Sequence, residues 1–485
     1  MPLLQEHALW AACTPKEIMT HVHFIGIGGS GLSAIARLLL ESGYTVSGSD
    51  RAMTPFADDL RKAGATVYVG HHPRNLKGAD WVVRSSAIME DNSEVIAAKK
   101  MNIPVYKRAD FLGELMSDKK GIAIAGTHGK TTTTAMTAWV LTELGRDPSF
   151  IVGGVLNDLG VNARAGKGNV FVIEADEYDN MFLGLKPQIE VVTSLEHDHP
   201  DFFPTFNAMI ESFQKFVNLL PEDGTLIACM EDAGAMELVL RARQAGRNVL
   251  GYGVQSESTI NTPLWVMARE VKPNQRGGFN FVATSNLGST GPESVEVSLQ
   301  VPGEHNVRNA LAVLAIIDVL GLPREKAAKA LAAFTGTGRR FELRGEVNGI
   351  SIFDDYAHHP TEIMATLAGA RARYPERRIW AVWQPHTYSR TKTLFLEFAR
   401  AFKDADEVIV TEVYAAREPK EDFTSAEIVS TMPHLSARYI ATLPEVTSHL
   451  LRHLKPDDVV LILSAGDADQ ISTDVVKQLQ ERQMP

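Results

Sequence analysis

Residues 121–132 read Gly121-Ile122-Ala123-Ile124-Ala125-Gly126-Thr127-His128-Gly129-Lys130-Thr131-Thr132. The apolar run over 121–125 predicts a buried strand, and the glycines after it predict a turn feeding a helix. The segment GTHGKTT at Gly126–Thr132 carries the residue types a phosphate loop needs. Glycines let backbone N–H groups close around phosphate oxygens, and the helix start adds partial positive charge. Lys130 reaches terminal phosphates and the Thr131 hydroxyl suits Mg²⁺. The common ATP motif has a further glycine where this chain has Ile124, so only the GxxGKT half is present. ATP is the expected ligand, with Gly126, Thr127, His128, Gly129, Lys130, Thr131 and Thr132 around it.

Strand and helix alternate on both sides of this loop, which predicts parallel α/β sheets. Before it, strands are expected at 21–26, 44–48, 65–69 and 81–84, with a helix over 32–42. After it they are expected at 169–174 and 190–194. Residues 255–300 are rich in Ser, Thr, Gly and Asn with alternating stretches, and read as β-hairpins inserted before a helix over 306–320. A third α/β segment has strands at 350–354, 378–383, 407–411 and 459–463. The expected domains are 21–116, 117–335 and 336–485, after a short extension over 1–20. The first and third are Rossmann-like and the second is a P-loop ATPase domain.

The 485-residue length agrees with about three domains. Hydrophobic content of 45% and charged content of 22% are ordinary for a globular chain. A net charge of −11 argues against a nucleic-acid partner. The two cysteines, Cys13 and Cys229, lie far apart without a CxxC, which fits a reducing compartment. No stretch approaches the roughly 20 apolar residues of a membrane span, and the N-terminus lacks a signal-peptide pattern. A cytoplasmic monomer or homodimer is expected.

A second glycine loop, Gly26-Ile27-Gly28-Gly29-Ser30-Gly31, fits GxGxxG, and Asp50 ends the next expected strand. Taken alone this is a dinucleotide fingerprint, and an NAD-dependent oxidoreductase is one reading. The same backbone geometry serves any diphosphate. Two loops in separate domains therefore predict two phosphorylated ligands, one of them a diphosphate-bearing substrate.

Acids and histidines gather at the strand ends. Glu174 ends the strand at 169–174 and is an expected Mg²⁺ ligand, with Asp176 and Glu177 following it. In Glu196-His197-Asp198-His199, His199 suits Mg²⁺ or phosphate, and Asp198 suits a helix cap. No further Cys or His cluster in the sequence supports a zinc site for His197 and His199. Asp354-Asp355-Tyr356-Ala357-His358-His359-Pro360-Thr361-Glu362 ends a third-domain strand. Pro360 and Glu362 are good helix-start chemistry, but two acids, a tyrosine and two histidines suggest a ligand edge. Gln384-Pro385-His386-Thr387-Tyr388-Ser389-Arg390 is expected on the same edge.

In order and spacing these motifs resemble the Mur ligases of bacterial cell-wall synthesis, over nearly the whole chain. Further carriers are GSD at 48–50, SSAI at 85–88, EADEYD at 174–179, GEHNVRNALA at 303–312 and GRRFELRGE at 338–346. The resemblance implies that Gly28, Gly29, Ser30, Gly31, Asp50, Ser85 and Ser86 hold a UDP-substrate. It implies catalytic roles for Lys130, Glu174 and His199, with Thr131, Glu174 and His199 as Mg²⁺ ligands. His305, Asn306, Asn309, Arg340 and Asp355 join the ATP contacts, and Tyr356, His358 and Arg390 position an incoming amino acid. A second basic residue that the family often carries near Arg390 is Thr387 here.

Within the family, QPHTYSRT and YAARE at 414–418 favour addition of L-alanine to UDP-N-acetylmuramate. EADEYD and FELRGE are shared with the ligase that recycles murein tripeptide. The implied chemistry is activation of a carboxylate by ATP as an acyl phosphate, attack by the amine and loss of phosphate. Closure of the third domain, bringing Asp355 and Arg390 over ATP, would keep water out. A non-catalytic nucleotide-binding regulator is a third reading, opposed by the presence of Lys130, Glu174 and His199.

Overall fold

The computed structural model describes residues 20–85, 87–254, 262–288, 291–416 and 418–482. Apart from Thr20, the expected N-terminal extension lies outside the described residues, as do Cys13, Ser86 and Arg417, and so does the side chain of Ser30. Contacts divide the described chain into two compact units. One comprises 20–111 with Ala163–Ala165, and the other comprises Leu112–Asn162 with 166–482.

The first unit is built on five parallel strands. In spatial order they are Thr66–Val69, Thr45–Asp50, His21–Ile25, Trp81–Arg84 and Val105–Lys107. This is the doubly wound 3-2-1-4-5 order, whose ligand crevice lies outside the carboxyl ends where the order reverses. The Gly26–Gly31 turn leaves the first strand at that point. Val22, Phe24 and Ile25 are fully buried, and so is His23 between them, whose Nδ1 lies 2.8 Å from Ser47 Oγ on the neighbouring strand. Val105–Lys107 was not expected, because three residues show no periodicity.

Among its described residues the second unit contains two sheets. The larger has ten strands. Its centre is Lys120–Ala125, the strand of the GTHGKTT loop, flanked in parallel by Ile189–Val192 and Val170–Glu174. Parallel neighbours end on the same edge, so Glu174 and the segment 193–199 emerge beside the loop. Beyond Ile189–Val192 lie Thr225–Cys229, Asn248–Val254 and Leu264–Pro273, all parallel. Phe279–Ser285 and Glu293–Ser298 then add antiparallel strands. The expected hairpins are present as these two consecutive antiparallel pairs, and they prolong the central sheet because Leu264–Pro273 pairs with Asn248–Val254. Residues 255–261 lie outside the described residues.

The loop helix Lys130–Glu143 packs with His305–Val319 against this sheet, burying Met136, Val140, Leu141, Val307, Leu311 and Leu314 completely. The second sheet has six strands in the order Glu342–Val347, Ile350–Asp355, Val459–Leu463, Ile379–Trp383, Glu407–Val410 and Ala437–Tyr439. All are parallel except the first. Ile350–Asp355 and Ile379–Trp383 both flank Val459–Leu463, so 356–362 and 386–390 emerge at one edge, as expected. The three expected α/β domains are therefore three separate sheets. Among the described residues no helix is long and apolar enough to cross a membrane.

Candidate active site

Two loop glycines are sterically required. Gly126 has φ +131°, and a Cβ there would lie 2.1 Å from Thr193 Oγ1. Gly129 has φ +81°, and its Cβ would meet Asn309 Oδ1 at 2.7 Å. Only glycine permits this backbone and this closeness. Lys130 Nζ donates to Gly126 O at 2.5 Å, Thr127 O at 3.2 Å and Glu177 Oε1 at 2.9 Å. Glu177 is buried, and burial pushes its carboxyl up to about 7 against the pull of Lys130. Thr131 Oγ1 donates to Glu174 Oε1 at 2.9 Å, and Glu174 Oε2 accepts from Gly153 N at 2.6 Å. His199 joins the group through Glu177, with Nε2 3.8 Å from Glu177 Oε1.

A cavity of about 280 Å³ opens beside the loop. His128, Gly129, Thr131 and Thr132 line it together with His305, Asn306, Asn309, Arg340 and Asp355. Nine expected ATP residues, from three distant segments, thus face one space. Asn309 Nδ2 donates to Asn306 Oδ1 at 2.9 Å, and Asn306 Nδ2 donates to Pro302 O at 2.6 Å, so each amide is oriented by the other or by backbone. Arg340 donates to Thr131 Oγ1 at 3.4 Å. Asp355 accepts from the amides of Phe341 and Ala357, both at 2.8 Å, while burial raises its pKa to about 6 against Arg340. Burial pushes His305 down to about 4, so its ring is neutral at pH 7.

His128 links the two sheets of this unit. Its Nε2 lies 2.9 Å from Glu196 Oε2 and its Nδ1 lies 3.2 Å from Glu362 Oε1. Burial opposes a charge here, but hydrogen bonds with the two carboxylates prevail and raise the pKa to about 9. Thr361 Oγ1 donates to both Glu196 oxygens, at 2.9 and 2.7 Å. Glu362 also closes the capping box of Pro360–Arg373, with Pro360 in the first turn and His359 as the cap. The helix-start reading of Pro360 and Glu362 therefore holds, and Glu362 reaches the phosphate loop as well.

The residues expected to receive an amino acid gather on the same edge. The Arg339 and Arg340 guanidinium groups lie 5.1 and 5.3 Å from the Tyr356 ring centroid. The His358 ring is 5.4 Å from Tyr356 and 5.9 Å from His386, and burial pushes its pKa down to about 4. Arg390 donates to Asp198 Oδ1 at 2.7 Å, with both side chains buried, and contacts His386 Nδ1 at 3.0 Å. Burial works against the Asp198 charge, but Arg390 holds its carboxyl well below the usual range.

Two expectations need correction here. Asp198 caps no helix; it pairs with Arg390, and the next helix is capped by Thr205. Asp354 does not join Asp355 at the ligand edge. Successive strand residues face opposite sides, and Asp354 accepts from Ser472 at 2.9 Å instead. Sequence reasoning also missed the partners of His128 and Lys130. Glu196, Glu362 and Glu177 stand out only once the strand ends converge.

In the other unit, Asp50 Oδ2 accepts from Gly28 N at 2.8 Å and Oδ1 accepts from Arg51 N at 2.7 Å, so Asp50 braces the turn. A Cβ on Gly28 would lie 2.6 Å from Thr54 Oγ1, and one on Gly31 would lie 2.3 Å from the Arg108 guanidinium. Gly29 N closes the turn onto Gly26 O at 3.2 Å, and Ser85 packs against Gly26. The expected diphosphate residues that are described lie around this one turn.

Comparison with known proteins adds three family matches. They are the Mur ligase family catalytic domain over residues 21–120, the Mur ligase middle domain over 124–317 and the Mur ligase glutamate ligase domain over 339–466. The chain is 42% identical to the UDP-N-acetylmuramate–L-alanine ligase of Geobacter sulfurreducens, covering 95% of this chain and 98% of that one. It is 43% identical to the same ligase of Trichlorobacter lovleyi, over 94% and 98%. Among solved structures it resembles the UDP-N-acetylmuramate-alanine ligase of Thermotoga maritima, with TM-score 0.77, 29% identity and coverage of 96% and 100%. It also resembles a murein peptide ligase of Psychrobacter arcticus, with TM-score 0.69, 27% identity and coverage of 95% and 98%.

Proposed function

The chain belongs to the Mur ligase family, and on that premise we propose that it joins L-alanine to the carboxylate of UDP-N-acetylmuramate, cleaving ATP to ADP and phosphate. The observation that carries this reading is the cavity shared by His128, Gly129, Thr131 and Thr132 with His305, Asn306, Asn309, Arg340 and Asp355. A loop alone binds phosphate. A loop faced by two oriented amides, an arginine and a buried acid from another sheet is built to hold a whole nucleotide against a second substrate.

A carboxylate does not acylate an amine at neutral pH until it is activated. Transfer of the ATP phosphoryl group gives an acyl phosphate, and the step needs positioning and charge neutralisation more than covalent help. Lys130 and the loop amides supply that charge. Arg340, already within reach of Thr131, adds a cation from the third domain. Thr131 and Glu174 put a hydroxyl and a carboxylate oxygen 2.9 Å apart beside the loop, a donor pair that suits Mg²⁺, with His199 as the further ligand. When bound, Mg²⁺ neutralises the phosphate oxygens.

The amine is received at Tyr356, His358 and Arg390. With its pKa at about 4, His358 stays neutral at pH 7, so it adds no positive charge beside an incoming ammonium group and its free lone pair can accept a hydrogen bond from it. The UDP portion is held by Gly28, Gly29, Ser30, Gly31, Asp50, Ser85 and Ser86, in a first domain taken as 21–116, with ATP in 117–335 and the amino acid in 336–485. A cytoplasmic location, as monomer or homodimer, fits substrates of this kind. Phosphate release is the test: it should require UDP-N-acetylmuramate, ATP and L-alanine together. Release that needs tripeptide and ignores L-alanine would move the chain to the recycling activity.

A further inference from the structure

His128, Glu196 and His359 each offer a ligand atom to a common point, and the three atoms lie within 4.8 Å of one another. A tetrahedral ion with bonds of about 2.0–2.1 Å separates its ligands by roughly 3.4 Å. The 2.9 Å between His128 Nε2 and Glu196 Oε2 and the 3.7 Å between His359 Nδ1 and Glu196 Oε2 bracket that edge. Ring centroids of His128 and His359 are 4.8 Å apart. Closing the set requires the side chains to draw the three atoms, now within 4.8 Å, to that spacing.

The local hydrogen bonds do not account for His359. The residue is 2% exposed and its Nε2 makes no hydrogen bond, so Nδ1, the atom facing Glu196, carries its polar contacts. Its Nδ1 accepts only a long 3.4 Å bond from Thr361 N. Helix capping does not need an imidazole, since asparagine or serine does it better. Glu196 is 44% exposed, which leaves an ion a path from solvent. Two imidazoles with a single carboxylate suit borderline divalent transition ions, whereas a Mg²⁺ shell is made mostly of oxygens.

We propose that His128, Glu196 and His359 form a binding site for a zinc-class divalent cation, separate from the hydroxyl–carboxylate pair at Thr131 and Glu174. An ion there takes the place of the proton that His128 Nε2 shares with Glu196, releasing it to solvent, while Nδ1 keeps its bond to Glu362, and it cross-links the phosphate loop to the start of Pro360–Arg373. It goes beyond the ligase reading and does not depend on it.

The test titrates the full chain with zinc alone, without Mg²⁺ or nucleotide, against a chromophoric chelator. The same titration is run on His359→Asn, which keeps a capping side chain, and on Glu196→Gln. The expected result is a single zinc per chain at micromolar affinity, weakened at least about tenfold in each variant. Cobalt in place of zinc should give the visible absorption of a tetrahedral site, lost in the variants. The two variants remove ligands from different segments, so either folded variant is decisive. No binding at micromolar zinc, or equal binding by wild type and a folded variant, overturns the site.

Discussion

Lys130 of the phosphate loop forms a salt bridge of 2.9 Å with Glu177, which follows the neighbouring strand Val170–Glu174 and is buried. The bridge keeps the lysine charge beside the loop. Lys130→Met should lower turnover by about 10²–10³-fold, the scale of losing one preorganised charge stabiliser. Glu177, already raised to about 7, can answer by taking up a proton, so the fold should survive. Phosphate release with thermal unfolding checks both points. Near wild-type turnover would remove Lys130 from the chemistry.

Gly129→Ala meets two obstacles, φ of +81° and Asn309 Oδ1 at 2.7 Å from the new Cβ. A left-handed non-glycine residue costs about 1–2 kcal/mol. If that strain falls on the ATP-bound loop, affinity drops roughly tenfold. Titration with a fluorescent ATP analogue measures it, and unchanged affinity would show that the loop does not need this backbone.

The larger part of this arrangement was legible in the sequence. GTHGKTT declared its strand, turn and helix because each carries a local signal. Glu174 was legible because an acid ending a neighbouring strand must emerge beside the loop. The pairing of Asp198 with Arg390 was not, since 192 residues separate them and nothing local marks either as a partner. The opposite facing of Asp354 and Asp355 follows from strand period, yet it shows only when the strand end is fixed at Asp355. Val105–Lys107 was too short to declare itself.

Asp198→Ala leaves Arg390 buried without its partner. Breaking such a pair costs about 3–5 kcal/mol. Urea unfolding should show a loss of that order, largely recovered in Asp198→Leu/Arg390→Leu. The Asp198 pKa is depressed in the fold, so its contribution is present above the unfolded value and fades as pH falls through the folded one. The wild type should therefore lose more stability on acidification than the double variant does. Equal acid sensitivity would contradict the assignment.

Glu190 lies in Ile189–Val192, the strand beside Lys120–Ala125, fully buried, with neither carboxyl oxygen hydrogen-bonded. Burial raises its pKa well above normal, so the folded protein holds it neutral. The unfolded chain releases that proton above its ordinary value, and stability should fall as pH rises from there towards the folded pKa. Glu190→Leu should remove this slope. It should also stabilise by about 1–3 kcal/mol, the cost of an unsatisfied buried polar group. A destabilised variant in thermal melts at neutral pH would point to an unseen partner.

The central claim is that ATP activates the carboxylate of UDP-N-acetylmuramate before L-alanine attacks. Labelling that carboxylate with isotopically heavy oxygen, running the complete reaction and weighing the released phosphate tests it most directly. The account predicts one labelled oxygen in the phosphate for each amide formed. Unlabelled phosphate released alongside the amide product would contradict it.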